Sequence, residues 1–216
     1  MKRIFLISCI LIASIAAKSQ TKAITDNGRE VVLYDNGSWK YSDDSTNIKD
    51  SATDTLKTNT TKFSKPLSAN FLVKSKVFNI GVYIIPTKWS FSSKKENEKN
   101  PEYRFSLKSG EGYVMMVTEK NTIDLPVLRA LALQNAQLVS VDVKETSAEY
   151  RYVNNKKVLC LNLKGTTKGI KFQYFGYYYS NENGTVQLVG FSTQQYFDSV
   201  QKELEKFLNG LVEITK

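Results

Sequence analysis

The chain contains no histidine. That absence excludes Ser-His-Asp catalysis, Cys-His nucleophile pairs and His-containing zinc sites. There are two cysteines, Cys9 and Cys160, so neither a disulfide framework nor a Cys-only zinc site can form within one chain. The acidic residues do not cluster, and there is no Gly-rich phosphate loop. Asp35-Asn36-Gly37-Ser38 matches a fragment of a calcium loop, but the twelve-residue pattern with its terminal Glu is missing, so a hairpin turn is the better reading. Ser92-x-x-Lys95 has the spacing of a Ser-Lys nucleophile, yet it lies in a polar stretch without a companion motif and reads as chance. The chain is therefore expected not to be an enzyme, and no metal or cofactor is expected.

What is present reads as an exported globular protein. The apolar fraction is 41% and the charged fraction 24%, ordinary values for a folded domain. Lys2 and Arg3 precede an uncharged run from Ile4 to Ala17, closed by Lys18. Residues 1–17 are read as a secretory signal peptide, too short to span a ~30 Å hydrocarbon core comfortably. Leu6-Ile7-Ser8-Cys9 resembles a lipobox, but the apolar run continues past Cys9, which favours a plain signal peptide over a lipid anchor. No later stretch is long and apolar enough for a membrane helix. The expected location is the periplasm or outside the cell, and nucleic acid is not an expected partner.

Residues 18–41 predict a short β-meander. Asp26-Asn27-Gly28 and Asp35-Asn36-Gly37 repeat one turn tripeptide around Arg29–Tyr34, which is rich in strand formers. The stretch resembles a short β-motif found after the signal peptide of many exported bacterial proteins. Residues 42–65 predict a disordered linker, since ten of these 24 residues are Ser or Thr and only Ile48, Leu56 and Phe63 are large and apolar.

Residues 66–216 predict the main domain, with 20 Lys+Arg against 14 Asp+Glu. Phe78, Ile80, Val82 and Ile84 alternate with other residues at the period of a strand. Further strands are expected at about 103–108 and 112–118. Because the second is apolar on both faces, it is expected to be covered on both. A helix over 124–138 begins at Thr122 or Asp124 with Pro126 in its first turn, and Leu125, Leu128, Leu131, Ala132 and Leu138 form its expected buried face. Alternation at Val139-Val141-Val143 and Ala148-Tyr150-Tyr152, the run Val158–Leu163, and residues 169–179 and 186–191 predict antiparallel strands. A final helix over 194–209 would bury Phe197, Val200, Leu204, Phe207, Leu208 and Leu211. The fold class is α+β, an antiparallel sheet sandwiched by helices, with the small meander at its N-terminus.

The order of these elements over residues 80–211 resembles the PsbP-like fold. The resemblance rests on Pro86…Trp89, the strand Gly112–Thr118, Ala130-Leu131 in the first helix, the strand Gly169–Tyr179, and Gln187-Leu188…Thr193 leading into Phe197…Phe207-Leu208. This family includes extrinsic photosystem subunits, a nuclear-transport adaptor and many bacterial envelope proteins. It implies an α/β/α sandwich with a non-catalytic binding or assembly role and no universal catalytic residue.

The candidate binding residues are Trp39, Tyr174, Phe175, Tyr177, Tyr179, Lys94 and Lys95. The tyrosines belong to Phe172–Tyr179, whose two faces are both aromatic. One face must be core; the other is either covered packing or a stacking surface for a sugar, lipid or protein. Lys94 and Lys95 share a loop with Lys99, while Lys164, Lys168 and Lys171 flank Gly165 and Gly169. They read as a solvated surface or as an attraction for anionic lipid, polysaccharide or acidic protein. Cys160, mid-strand among leucines, reads as a buried hydrophobe rather than a reactive thiol. The expected partner is an envelope protein, contacted by the main domain and the meander. A small-ligand carrier (lipid or sugar) with an aromatic pocket, and an enzyme with unrecognised carboxylate, Lys or Tyr chemistry, are the alternatives.

Overall fold

The structure, a computed structural model, describes residues 21–24, 30–33, 39–41, 56–95 and 100–214. Two compact units divide between Ser51 and Ala52. In the first, β1 (Thr21–Ile24), β2 (Glu30–Leu33) and β3 (Trp39–Tyr41) form an antiparallel sheet whose backbone register pairs Leu33 with Trp39. The Asn-Gly turns, the expected signal peptide and residues 42–55 of the expected linker lie outside the described residues.

The second unit contains β4 (Thr58–Phe63), β5 (Phe71–Lys74), β6 (Ile80–Ile84), β7 (Trp89–Ser93), β8 (Tyr103–Leu107) and β9 (Tyr113–Glu119). Helix α1 (Leu125–Val139) follows, then β10 (Lys144–Val153), β11 (Lys156–Thr167), β12 (Ile170–Asn181) and β13 (Gly184–Thr193). Helix α2 (Gln194–Leu208) and β14 (Leu211–Glu213) close the chain. The large sheet runs β4-β10-β11-β12-β13-β9-β8-β7, antiparallel except for the β4–β10 pair, and β14-β6-β5 form a smaller sheet.

The two faces of the large sheet are covered unequally. One face presents Phe175, Tyr177 and Tyr179 from β12, Val186 and Leu188 from β13, and Val114 and Met116 from β9. These pack with the small sheet and with Phe197, Val200, Leu204, Phe207 and Leu208 of α2 in one core. Each such helix side chain contributes about 1.5–3 kcal/mol by leaving water. The chain turns sharply from α2 into β14 at Gly210, where a Cβ would sit 2.1 Å from the Tyr83 carbonyl oxygen, so only glycine admits the passing strand. The opposite face carries a smaller core, in which Leu128 and Ala132 of α1 meet Tyr150, Leu159, Leu161 and Tyr178. Gly176 lets the Tyr178 ring fold over the strand, since a Cβ there would lie 2.9 Å from that ring.

Several expectations are corrected. Thr58–Phe63, expected in a linker, is the edge strand β4, paired parallel to β10. Backbone pairing suits its Thr-rich sequence, and Phe63 packs against the core. Val139 ends α1 and residues 140–143 form a turn, so no strand runs through Val139-Val141-Val143. Leu138 is exposed rather than part of the buried helix face. Leu211 is buried in β14 opposite Val82, not on the helix. β9 is covered on one side only: Val114 and Met116 are buried, whereas Met115 and Val117 are half-buried and Tyr113 exposed. A single helix, packed on β11 and β12, does not reach across the sheet to cover them.

Candidate functional site: an aromatic platform on the open sheet face

Beyond α1, the uncovered part of the sheet carries a cluster of aromatic rings from three adjacent strands. Phe172 and Tyr174 stand two apart on β12 and therefore on one face. The register sets Tyr174 opposite Phe191 of β13, and Phe191 opposite Tyr113 of β9. Tyr113 and Phe191 are stacked, with centroids 5.5 Å apart and planes at 28°. Tyr174 lies 6.0 Å and Phe172 6.4 Å from Phe191. Phe172, Tyr174 and Phe191 are half-buried and Tyr113 is 37% exposed. The Tyr113 hydroxyl donates to Glu111 Oε2 at 2.8 Å. That hydrogen bond, with some burial and the nearby negative charge, raises the phenol's pKa.

The sequence candidates divide around this platform. Tyr174 belongs to it. Phe175, Tyr177 and Tyr179 do not, because the strand's alternation turns them into the core beneath α2. The Tyr177 hydroxyl donates to Asn209 Oδ1 at 3.0 Å and accepts Arg151 Nη1 at 3.0 Å, and that of Tyr179 donates to Glu213 Oε1 at 2.9 Å. Burial pushes the Tyr177 phenol well above its ordinary pKa. These three are corrected from binding to packing. Lys94 and Lys95 follow β7, at the far edge of the sheet with β8 between it and β9. Lys94 lines a separate cavity of about 100 Å³ beside the buried Glu102. Trp39 lies in β3, in the other unit. Phe191 and Tyr113 were not candidates in the sequence. Their alternation with buried residues was visible, but which strands would be neighbours was not.

Cys160 is buried mid-strand, and burial pushes its thiol up to about 12. Such a thiol is not a nucleophile at neutral pH. Among the described residues no group of His, Cys, Asp or Glu could hold a metal. The carboxylates of Glu149 and Glu205 come near one another only through Arg151, which donates to both.

No protein-family model matches the chain, and no curated protein sequence does. Among solved structures, the cyanobacterial PsbP (CyanoP) of Synechocystis sp. PCC 6803 is similar with a TM-score of 0.51 and 8% identity, over 68% of this chain and 94% of that one. The second unit has the PsbP-like fold. A protein of Bacteroides thetaiotaomicron is similar with a TM-score of 0.47 at 11% identity, over 68% of this chain and 50% of that one. LpqN of Mycobacterium tuberculosis, involved in cell envelope biogenesis, is similar at 0.46 and 9%, over 67% and 90%. Within the PsbP-like domain, α2 and the small sheet cover one face of the large sheet, and the aromatic platform lies on the other face, beyond α1. No described helix is long and apolar enough to cross a membrane.

Proposed function

We propose that this chain is an exported, non-enzymatic binding or assembly protein of the bacterial cell envelope, and that its PsbP-like domain receives a protein partner on the aromatic platform. The observation that carries this reading is the set of four clustered rings on the part of the sheet face that α1 leaves open. Contiguous aromatic surface of this kind is characteristic of contact sites, and large rigid rings supply most of the binding energy at protein interfaces. The expected signal peptide supports export. The meander is a second contact, raising the effective concentration of the first.

The test is site-specific photo-crosslinking in living cells. A crosslinking residue at Ser106, directly opposite Tyr113, or at Met115, next to it on the same face, is expected to trap one envelope protein, with the adduct weakened by deleting residues 18–41 and by Phe191→Ser. Absence of an adduct at both positions, or an equal adduct from the exposed Leu67 between β4 and β5, at the other end of the sheet, would overturn the reading.

A second reading, a small-ligand carrier, is favoured by one observation. A half-open pocket of about 700 Å³ lies along β4, lined by Thr58, Thr60, Lys62, Tyr152, Asn154 and Asn155 among others. Its volume suits a small molecule, and its lining sets the rings of Phe63 and Tyr152 beside hydroxyl and amide groups, as a sugar stacked on a ring would need. Extraction of the purified protein followed by mass spectrometry would reveal a resident sugar.

A further inference from the structure

At one end of the large sheet, the close of α1 and the β11–β12 hairpin come together. The Ser140 hydroxyl lies 2.8 Å from Asp142 Oδ1 and 2.9 Å from the Thr166 carbonyl oxygen, and Asp142 Oδ1 accepts the Thr166 N–H at 2.7 Å. Gly165 permits this approach, since a Cβ there would lie 2.4 Å from Ser140 Oγ. The hairpin turns through Lys168 and Gly169, both at positive φ, with open space around Gly169.

This latched end displays apolar side chains that the fold does not use. Leu138 is 70% exposed, Val139 64%, Val141 94% and Ile170 52%. A single exposed aliphatic residue is ordinary, but four on two joined elements are not. Lysines occupy the same end. Lys144 lies directly opposite Lys164 across β10–β11, and Lys171 is opposite Thr166, next to the hairpin turn that holds Lys168. All four lysines are exposed, and none forms an ion pair among the described residues. Like charges directly opposed across strands are destabilising, so Lys144 and Lys164 face each other at a cost the fold does not recover. The nearby carboxylates are engaged: Asp142 with Ser140 and Thr166, and Glu145 with Arg129.

We propose that this end of the PsbP-like domain docks on an anionic phospholipid bilayer. Aliphatic side chains at a protein's tip enter the boundary between headgroups and acyl chains, while surrounding lysines meet the lipid phosphates. An acidic protein would satisfy the lysines but would not call for four exposed aliphatic residues at the same end of the sheet. Phe172 of the platform stands two residues from Ile170 on the same face of β12, so the two surfaces adjoin, but the inference rests on the exposed aliphatic and lysine side chains and not on the four rings.

The test is co-sedimentation of the protein, purified from cells that export it and in whatever processed form they leave it, with vesicles of pure phosphatidylcholine or of phosphatidylcholine mixed with phosphatidylglycerol. Binding to the mixed vesicles only, weakened by added salt, is expected. Each lysine near an anionic surface is worth about fivefold in partitioning, so K164E/K171E should weaken binding by at least about tenfold. V141S/I170S, which leaves the charge alone, should also weaken it, by roughly tenfold. K120E/K202E, the same charge change elsewhere, should alter binding less than about twofold. K164E by itself replaces a repulsive pair with Lys144 by an attractive one, so its melting temperature should rise while its lipid binding falls, an opposition that misfolding cannot produce. Equal binding to both vesicle types, equal loss in K120E/K202E, no loss in V141S/I170S, or retention on an acidic polysaccharide resin without vesicle binding would each overturn the proposal.

Discussion

The guanidinium of Arg151 lies 4.5 Å above the ring of Phe63. Arg151 is on β10 and Phe63 ends β4, so this contact fastens the edge strand to the sheet. The same guanidinium donates to Glu149 Oε1 at 2.5 Å, to Glu205 Oε1 at 2.7 Å on α2, and to the Tyr177 hydroxyl. A planar fork reaches all of these at once; an ammonium cannot.

Arg151→Ala should therefore destabilise the domain by about 3 kcal/mol, since it leaves two carboxylates and a buried phenol without their shared partner. Arg151→Lys should recover less than half of that. In a double-mutant cycle with Phe63→Ala, the coupling energy should be about 0.5–2 kcal/mol. Urea denaturation of the parent and the four variants measures all three quantities, and additive effects in the cycle would show that the stacking contributes nothing.

Asp142 provides a pH signature. Its hydrogen bonds with Thr166 and Ser140 lower its pKa from 3.8 to about 2. The folded pKa lies below the unfolded one, so the contribution to stability is complete above about pH 4 and is lost as the pH falls toward about 2. Asp142→Asn should lower the melting temperature at neutral pH, and its deficit relative to the parent should shrink on acidification through that window. A deficit that is constant with pH would remove the carboxylate's charge from the explanation.

At Gly210 the obstacle is backbone: a Cβ would meet the Tyr83 carbonyl oxygen at 2.1 Å and that of Phe207 at 2.9 Å. Neither oxygen can swing aside as a side chain would. Gly210→Ala should cost at least about 3 kcal/mol or prevent folding. At Gly169, by contrast, a Cβ meets nothing and only the positive φ resists it. Gly169→Ala should cost about 1 kcal/mol. Equal losses at the two positions in thermal melts would contradict this assignment of causes.

The thiol of Cys160, raised to about 12 by its burial, should resist a maleimide or disulfide reagent in the native protein and react fully in denaturant. Rapid labelling of the native protein would show that the strand opens or that the thiol is accessible.

Periodicity determined much of this architecture. The spacing of Phe197, Val200, Leu204, Phe207 and Leu208 made α2 and its buried stripe legible, because a helix must turn one side toward the core. Pro126 marked the start of α1, and the alternation through Phe172–Tyr179 marked β12. Other features depended on what a segment meets. The Thr-rich residues 58–63 have almost no apolar content, and only the free edge of β10 makes them a strand. The composition of α1 gave no means of telling Leu128 from Leu138, since leucines surround the helix and its placement over β11 alone selects the buried ones. Alternation divides β12 into two aromatic faces but is silent on which face is covered. That was decided by α2 and the small sheet filling one side while α1 reached only part of the other, which buried Phe175, Tyr177 and Tyr179 and left Tyr174 beside Phe191 and Tyr113. A sequence carries its own periods along the chain, whereas coverage is a relation between segments far apart in it, and only the tertiary structure sets that relation.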